Sequence, residues 1–80
     1  MRLDKFLKVS RLIKRRTVAN SACDAGRVLI NDKPSKPGAD VKIGDVITIG
    51  FGEKQIKVKV LSLNEHQTKD SAATMYEAVV

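Results

Sequence analysis

Cysteine, histidine and aromatic residues are scarce in this 80-residue chain, which has one Cys, one His, no Trp and three aromatics in all. A lone Cys23 excludes an intrachain disulfide and a cysteine-based zinc cluster. Its neighbours Ser21, Ala22 and Ala25 are small, so it reads as a packing residue rather than a reactive thiol. His66 lies in a polar stretch with no second base or ligand near it in sequence. Neither a Ser/His/Asp or Cys/His set nor a P-loop, dinucleotide fingerprint or metal-spaced carboxylate cluster is found. The chain is therefore expected not to be an enzyme and to need no metal or cofactor. So few aromatics argue against stacking along a single strand, and Phe6 and Tyr76 read as core. No apolar run approaches the ~18–20 residues of a membrane span, and the start lacks the continuous apolar segment of a signal peptide. A cytoplasmic location without a membrane partner is expected. At this length the chain makes one domain or less than one, with a small core.

What is present is positive charge, held in one place. Residues 1–16 carry Arg2, Lys5, Lys8, Arg11, Lys14, Arg15 and Arg16 against Asp4 alone, a net of +6 that equals the charge of the whole protein. Residues 1–42 have 11 Lys/Arg and 4 Asp/Glu, whereas 43–80 have 4 and 5. The first half thus reads as a contact surface for a polyanion and the second as scaffold.

Leu3, Phe6 and Leu7 follow the i, i+3, i+4 spacing of an amphipathic helix. That predicts a helix over 3–10, with Lys8, Arg11 and Arg15 opposite the apolar stripe and a turn at 12–14. A second helix is predicted over 15–25, with Val18, Ala19, Ala22 and Cys23 as a narrow apolar face and Gly26 as its stop. Residues 27–30 read as a short strand, Asn31 and Asp32 as a tight turn, and 33–40, with Pro34, Pro37 and Gly38, as a loop. Further strands are predicted at 46–51 and 55–63, where Ile56, Val58 and Val60 alternate with lysines, then a polar loop at 64–73 and a last strand at 75–80. Arginine forks match phosphate oxygens, so the basic corner formed by the first helix, the turn and the start of the second suits a folded RNA backbone. Asp4 either orients Arg16 or a neighbouring base, or caps the first helix or pairs with a nearby lysine. The structural role is the expected one, since a carboxylate facing phosphate would repel it.

The ordered set Arg2-Leu3-Asp4, Phe6-Leu7, Arg16, Ala19, Gly26-Arg27-Val28 and Ile30-Asn31 resembles the S4 RNA-binding domain family. The resemblance spans residues 2–49 and extends more loosely to 60. Asp32 departs from it, standing where glycine is common. It implies an α+β fold of S4 type (the αL motif), with two N-terminal helices packed on a small, mostly antiparallel sheet. Residues 1–63 would form the RNA-binding domain, and 64–80 a polar loop and terminal strand of the same domain. The opening residues and the 14–17 turn look most like small stand-alone members that act on obstructed large ribosomal subunits. The partners so implied are 23S rRNA of the large subunit, peptidyl-tRNA, and the factor that adds alanine tails to the stalled chain. A role in ribosome assembly or RNA regulation would use the same surface. Arg2, Lys5, Arg11, Lys14, Arg15 and Arg16 are the expected RNA contacts, with Lys8, Arg27, Lys33 and Lys36 peripheral. Arg2 and Arg16 stand foremost, being family-matching positions as well as members of the basic corner.

Overall fold

Leu3, Phe6 and Leu7 are fully buried on one face of helix α1 (Leu3–Val9), as their spacing requires. The computed structural model describes residues 1–63 and 72–79. Arg2 is the extended N-cap of α1 and supplies no side-chain cap. A distant loop does that work: the Leu3 N–H donates to Ala39 O at 2.8 Å and the Asp4 N–H to Pro37 O at 3.1 Å. Two donors that a helix start leaves open are thereby satisfied. The same loop is tied down by Val41 N–H to Met1 O (2.8 Å) and by the N-terminal ammonium on Asp40 (3.1 Å).

Helix α2 (Arg16–Asp24) is one residue shorter at each end than expected, because Arg15 and Ala25 serve as its caps. Gly26 follows at φ 75°, with its N–H on Cys23 O and the Arg27 N–H on Ala22 O (both 3.0 Å). This is a Schellman ending, in which glycine takes the left-handed conformation at least cost. Of the four residues expected on the apolar face, Ala19 and Cys23 are buried and Ala22 is half-buried. Val18, 52% exposed, is not part of the core.

Among the described residues five strands form one antiparallel sheet: β1 (Val28–Ile30), β2 (Lys33–Pro34), β3 (Val46–Phe51), β4 (Lys54–Val60) and β5 (Tyr76–Ala78), in the order β2-β1-β3-β4-β5. The loop expected over 33–40 is corrected at its start. Asn31 and Asp32 both have positive φ, so their two-residue turn keeps the chain paired through Ile30–Lys33 and Leu29–Pro34. Pro34 is tolerated because β2 is an edge strand. Asn31 also explains its own identity. Its Oδ1 accepts the Val46 N–H (3.0 Å) and its Nδ2 donates to Asp45 (3.1 Å), locking the turn to the start of β3. Strand β4 ends at Val60, short of the expected 63, because the Leu61 and Ser62 N–H groups turn to Met75 O. A 3-10 turn (Ala72–Met75) precedes β5. The polar loop expected over 64–73 lies, for residues 64–71 and with it His66, outside the described residues.

Register puts Val28, Ile47, Ile49, Val58 and Val60 on one sheet face, and that face packs with Leu3, Phe6, Leu7, Ala19, Cys23 and Met75 in a single core. The result is the expected α+β arrangement, two N-terminal helices on a small antiparallel sheet. Phe6 is core, as expected; Tyr76 is half-buried against it. No helix among the described residues is long and apolar enough to cross a membrane.

Candidate nucleic-acid interface

Asp4 follows buried Leu3 on α1, and its side chain is 1% exposed. Its carboxylate is the centre of the basic corner. Arg2 donates from Nε (3.2 Å) and Nη2 (3.4 Å), Arg16 from Nε (3.3 Å) and Nη2 (3.4 Å), Asn20 from Nδ2 (3.1 Å) and Lys5 from its backbone N–H (2.8 Å). Burial alone pushes this carboxyl up. The Arg16 guanidinium, then Arg2 and the Lys5 N–H, outweigh it and hold the group below its ordinary value. Asp4 takes up the Lys5 N–H, an open donor in the first turn of α1, as the expected structural role has it, and it also orients Arg16, the other role weighed, together with Arg2. Repulsion of phosphate by this carboxylate is small because it is buried and doubly paired.

The arginines stay available. Arg2 is 56% and Arg16 47% exposed, and each guanidinium spends Nε and one terminal nitrogen on Asp4, which leaves three of its five N–H groups outside that contact. Lys5 adjoins them, half-buried. Lys36 is in the loop whose carbonyls cap α1, and Gly38 of that loop sits close to the Arg2 guanidinium. Lys8, Arg11, Lys14 and Arg15 are exposed along the end of α1 and the inter-helix turn. The structure thus brings the Arg2 and Arg16 side chains to one carboxylate, which Lys5 meets through its backbone N–H. Arg27 and Lys33 do not join it: Arg27 lines an apolar recess on the other flank of α2, and Lys33 lies on the edge strand β2.

Arg11 has φ 63°, with its N–H on Lys8 O (3.0 Å). It holds the place after α1 that Gly26 holds after α2. Left-handed backbone costs an L-residue about 1–2 kcal/mol, of which glycine's extra unfolded-state entropy would take back ~0.5–1. Arg11→Gly should therefore stabilise the protein by about 0.5–1 kcal/mol, a rise of about 2–8 °C in a thermal melt. The same variant should bind RNA more weakly, with a salt slope lower by about 1. An unchanged slope would exclude Arg11 from the interface.

Cys23 is buried, and its thiol is pushed up to about 11, first by burial and then by the Asp4 and Asp24 carboxylates. It is a protonated packing residue, as its small neighbours indicated. The sequence reading missed Asn20, whose signal was a polar residue one turn after Arg16, and Phe51, 48% exposed at the end of β3.

Comparison with known proteins agrees with this architecture. The S4 domain family matches residues 1–47. The chain is 54% identical over 76 residues to the RQC P-site tRNA stabilizing factor of Bacillus subtilis (strain 168), covering 95% of this chain and 88% of the relative. It is 51% identical over 77 residues to the protein of the same name from Halalkalibacterium halodurans, covering 96% and 88%. Among solved structures, the trimeric Heat Shock Protein 15 of Vibrio cholerae superposes with a TM-score of 0.90 at 28% identity, over 99% of this chain and 81% of that one. With the Arg2-Leu3-Asp4 opening, the Arg16 partner and the Gly26–Asn31 hairpin entry in place on this fold, the chain belongs to the S4 domain family.

Proposed function

We propose that this chain is a non-catalytic RNA-binding factor of ribosome-associated quality control. In this reading it holds 23S rRNA and the P-site tRNA on large subunits obstructed by a stalled peptidyl-tRNA, and so supports the addition of C-terminal alanine tails. The observation that carries the reading is the Asp4-centred pair of half-exposed arginine forks. Two guanidiniums held on one carboxylate present planar forks that suit phosphate oxygens better than lysine ammonium groups do. The names of the relatives, at about half identity over nearly the whole chain, point to the P-site tRNA.

Arg2, Lys5, Arg11, Lys14, Arg15 and Arg16 make the main contacts, and Lys8, Arg27, Lys33 and Lys36 flank them. Residues 1–63 form the RNA-binding unit. Recognition is by backbone shape and charge, and the protein resides on ribosomes in the cytoplasm.

Affinity for a structured RNA should fall by several log units per log unit of salt, since each neutralised phosphate contributes about 0.7–0.9. Tagged protein drawn from cells should bring down large subunits and tRNA together. A flat salt dependence removes the electrostatic grip, and recovery of messenger RNA or immature subunits instead removes the quality-control role.

A further inference from the structure

The flank of α2 that carries Val18 and Ala22 lies about 200° around the helix from Arg16, at 100° per residue. Between it and the end of β3 is an apolar recess of about 390 Å3, walled chiefly by Leu12, Ile13, Val18, Ala22, Arg27 and Phe51. Two of these side chains are large hydrophobics left in water, Val18 at 52% and Phe51 at 48% exposed. Phe51 is held in place: the neighbouring Gly50 N–H donates to Arg27 O at 2.8 Å, and Gly52 at φ 60° turns the chain immediately after it.

We propose that this recess receives one unpaired nucleobase of the RNA held by the adjoining cationic turn. The inference rests on the reading given under Proposed function and adds to it a site for a base. Leu12 and Ile13 run directly into Lys14 and Arg15, both exposed on the turn that leads into α2, so a sugar–phosphate chain bound to those two cations passes the rim of the recess. The lining includes a cation and no carboxylate, which favours an anionic polymer. A nucleobase offers a flat apolar face to the Phe51 ring and the aliphatic wall, and a polar edge that the Arg27 guanidinium can meet or stack on. A protein segment would need both an apolar side chain and nearby acids to be drawn to the same place. RNA supplies charge and apolar surface in one ligand.

The test uses two hairpin RNAs with the same stem, one fully paired and one with a single bulged 2-aminopurine. They are titrated with the wild-type protein, Phe51→Ala, Phe51→Trp and Val18→Ser. Wild type should prefer the bulged hairpin by about fivefold or more, the weak end of a base–aromatic stack, and should change the 2-aminopurine fluorescence. Phe51→Ala should bind both hairpins with the affinity of the paired one and leave the fluorescence unchanged, while Phe51→Trp restores the preference. Val18→Ser, on the opposite wall, should reduce it. Equal binding of both hairpins by wild type, with a normal salt slope, overturns the base site and leaves the grip standing. Failure to bind either hairpin overturns the proposed function itself. Variants that keep the wild-type preference yet lose a ribosome-bound protein would assign the recess to a protein, which also overturns the proposal.

Discussion

Asp4→Asn should weaken binding to structured RNA by about tenfold or more, although it raises the net charge one unit above +6. If affinity followed charge alone, the variant would bind more tightly. The carboxylate accepts from both arginines, from Asn20 and from the Lys5 N–H, using both oxygens. An amide accepts at one oxygen only and presents N–H donors to a guanidinium, which is itself a donor. At least one arginine is then released and regains rotamer freedom of about 2 kcal/mol that RNA binding must remove. A tenfold loss corresponds to ~1.4 kcal/mol, within that amount.

The same substitution should lower stability by about 2–3 kcal/mol, since hydrogen bonds to a buried charge contribute ~1.5–3 kcal/mol and the half-exposed arginines retain hydration. For a domain of this size the melting temperature falls by about 10–20 °C. Binding measured well below that temperature, with the fold checked by circular dichroism, separates the two effects. The acid limb gives a further check. Because the Asp4 carboxyl is held below its ordinary value, its contribution is complete above the unfolded-state pKa of about 4 and is lost as pH falls through the lower folded value. Wild-type stability should therefore fall with decreasing pH below about 4 more steeply than that of Asp4→Asn. Tighter RNA binding by the variant, or parallel acid limbs, would contradict the clamp.

Much of this was legible from local pattern. The spacing of Leu3, Phe6 and Leu7 fixes α1, Gly26 ends α2, and the alternation at Val58 and Val60 places β4 on the core. These features depend on residues within one helical turn or one strand repeat. What the chain did not disclose depends on separation. The Asp4 clamp joins residues 12 and 16 positions apart, on two helices whose facing is set by tertiary packing. Asp4 therefore read as a lone acid among cations with two roles open. The strand at Lys33–Pro34 was hidden because prolines signal a loop, whereas edge position made Pro34 harmless. Val18 misled in the opposite direction: apolar type predicts burial in one direction only, and exposed hydrophobics are common enough that spacing alone cannot find them. The left-handed Arg11 carries no sequence signal, since arginine is not a residue that favours that conformation.

Arg16→Ala should release the protein from large ribosomal subunits while leaving it folded. The two halves of that outcome come from different parts of the same contact. Arg16 is about half exposed, and after its removal Asp4 still accepts from Arg2, Asn20 and the Lys5 N–H, so the buried carboxylate is not orphaned. The melting temperature should fall by several degrees, well short of the change at Asp4. Binding, by contrast, loses a positioned fork, and affinity for structured RNA should drop at least about tenfold, with co-sedimentation abolished at physiological salt. Arg16→Lys tests whether charge alone suffices. A lysine restores the positive charge without a planar fork able to bridge carboxylate and phosphate together, so it should recover the salt slope but not the affinity. Because Arg2 and Arg16 share one acceptor, the double variant Arg2→Ala/Arg16→Ala should depart from additivity by more than the ~0.5 kcal/mol seen for independent sites. Strict additivity, or full rescue by lysine, would mean that the two arginines act as separate charges and that Asp4 does not organise them.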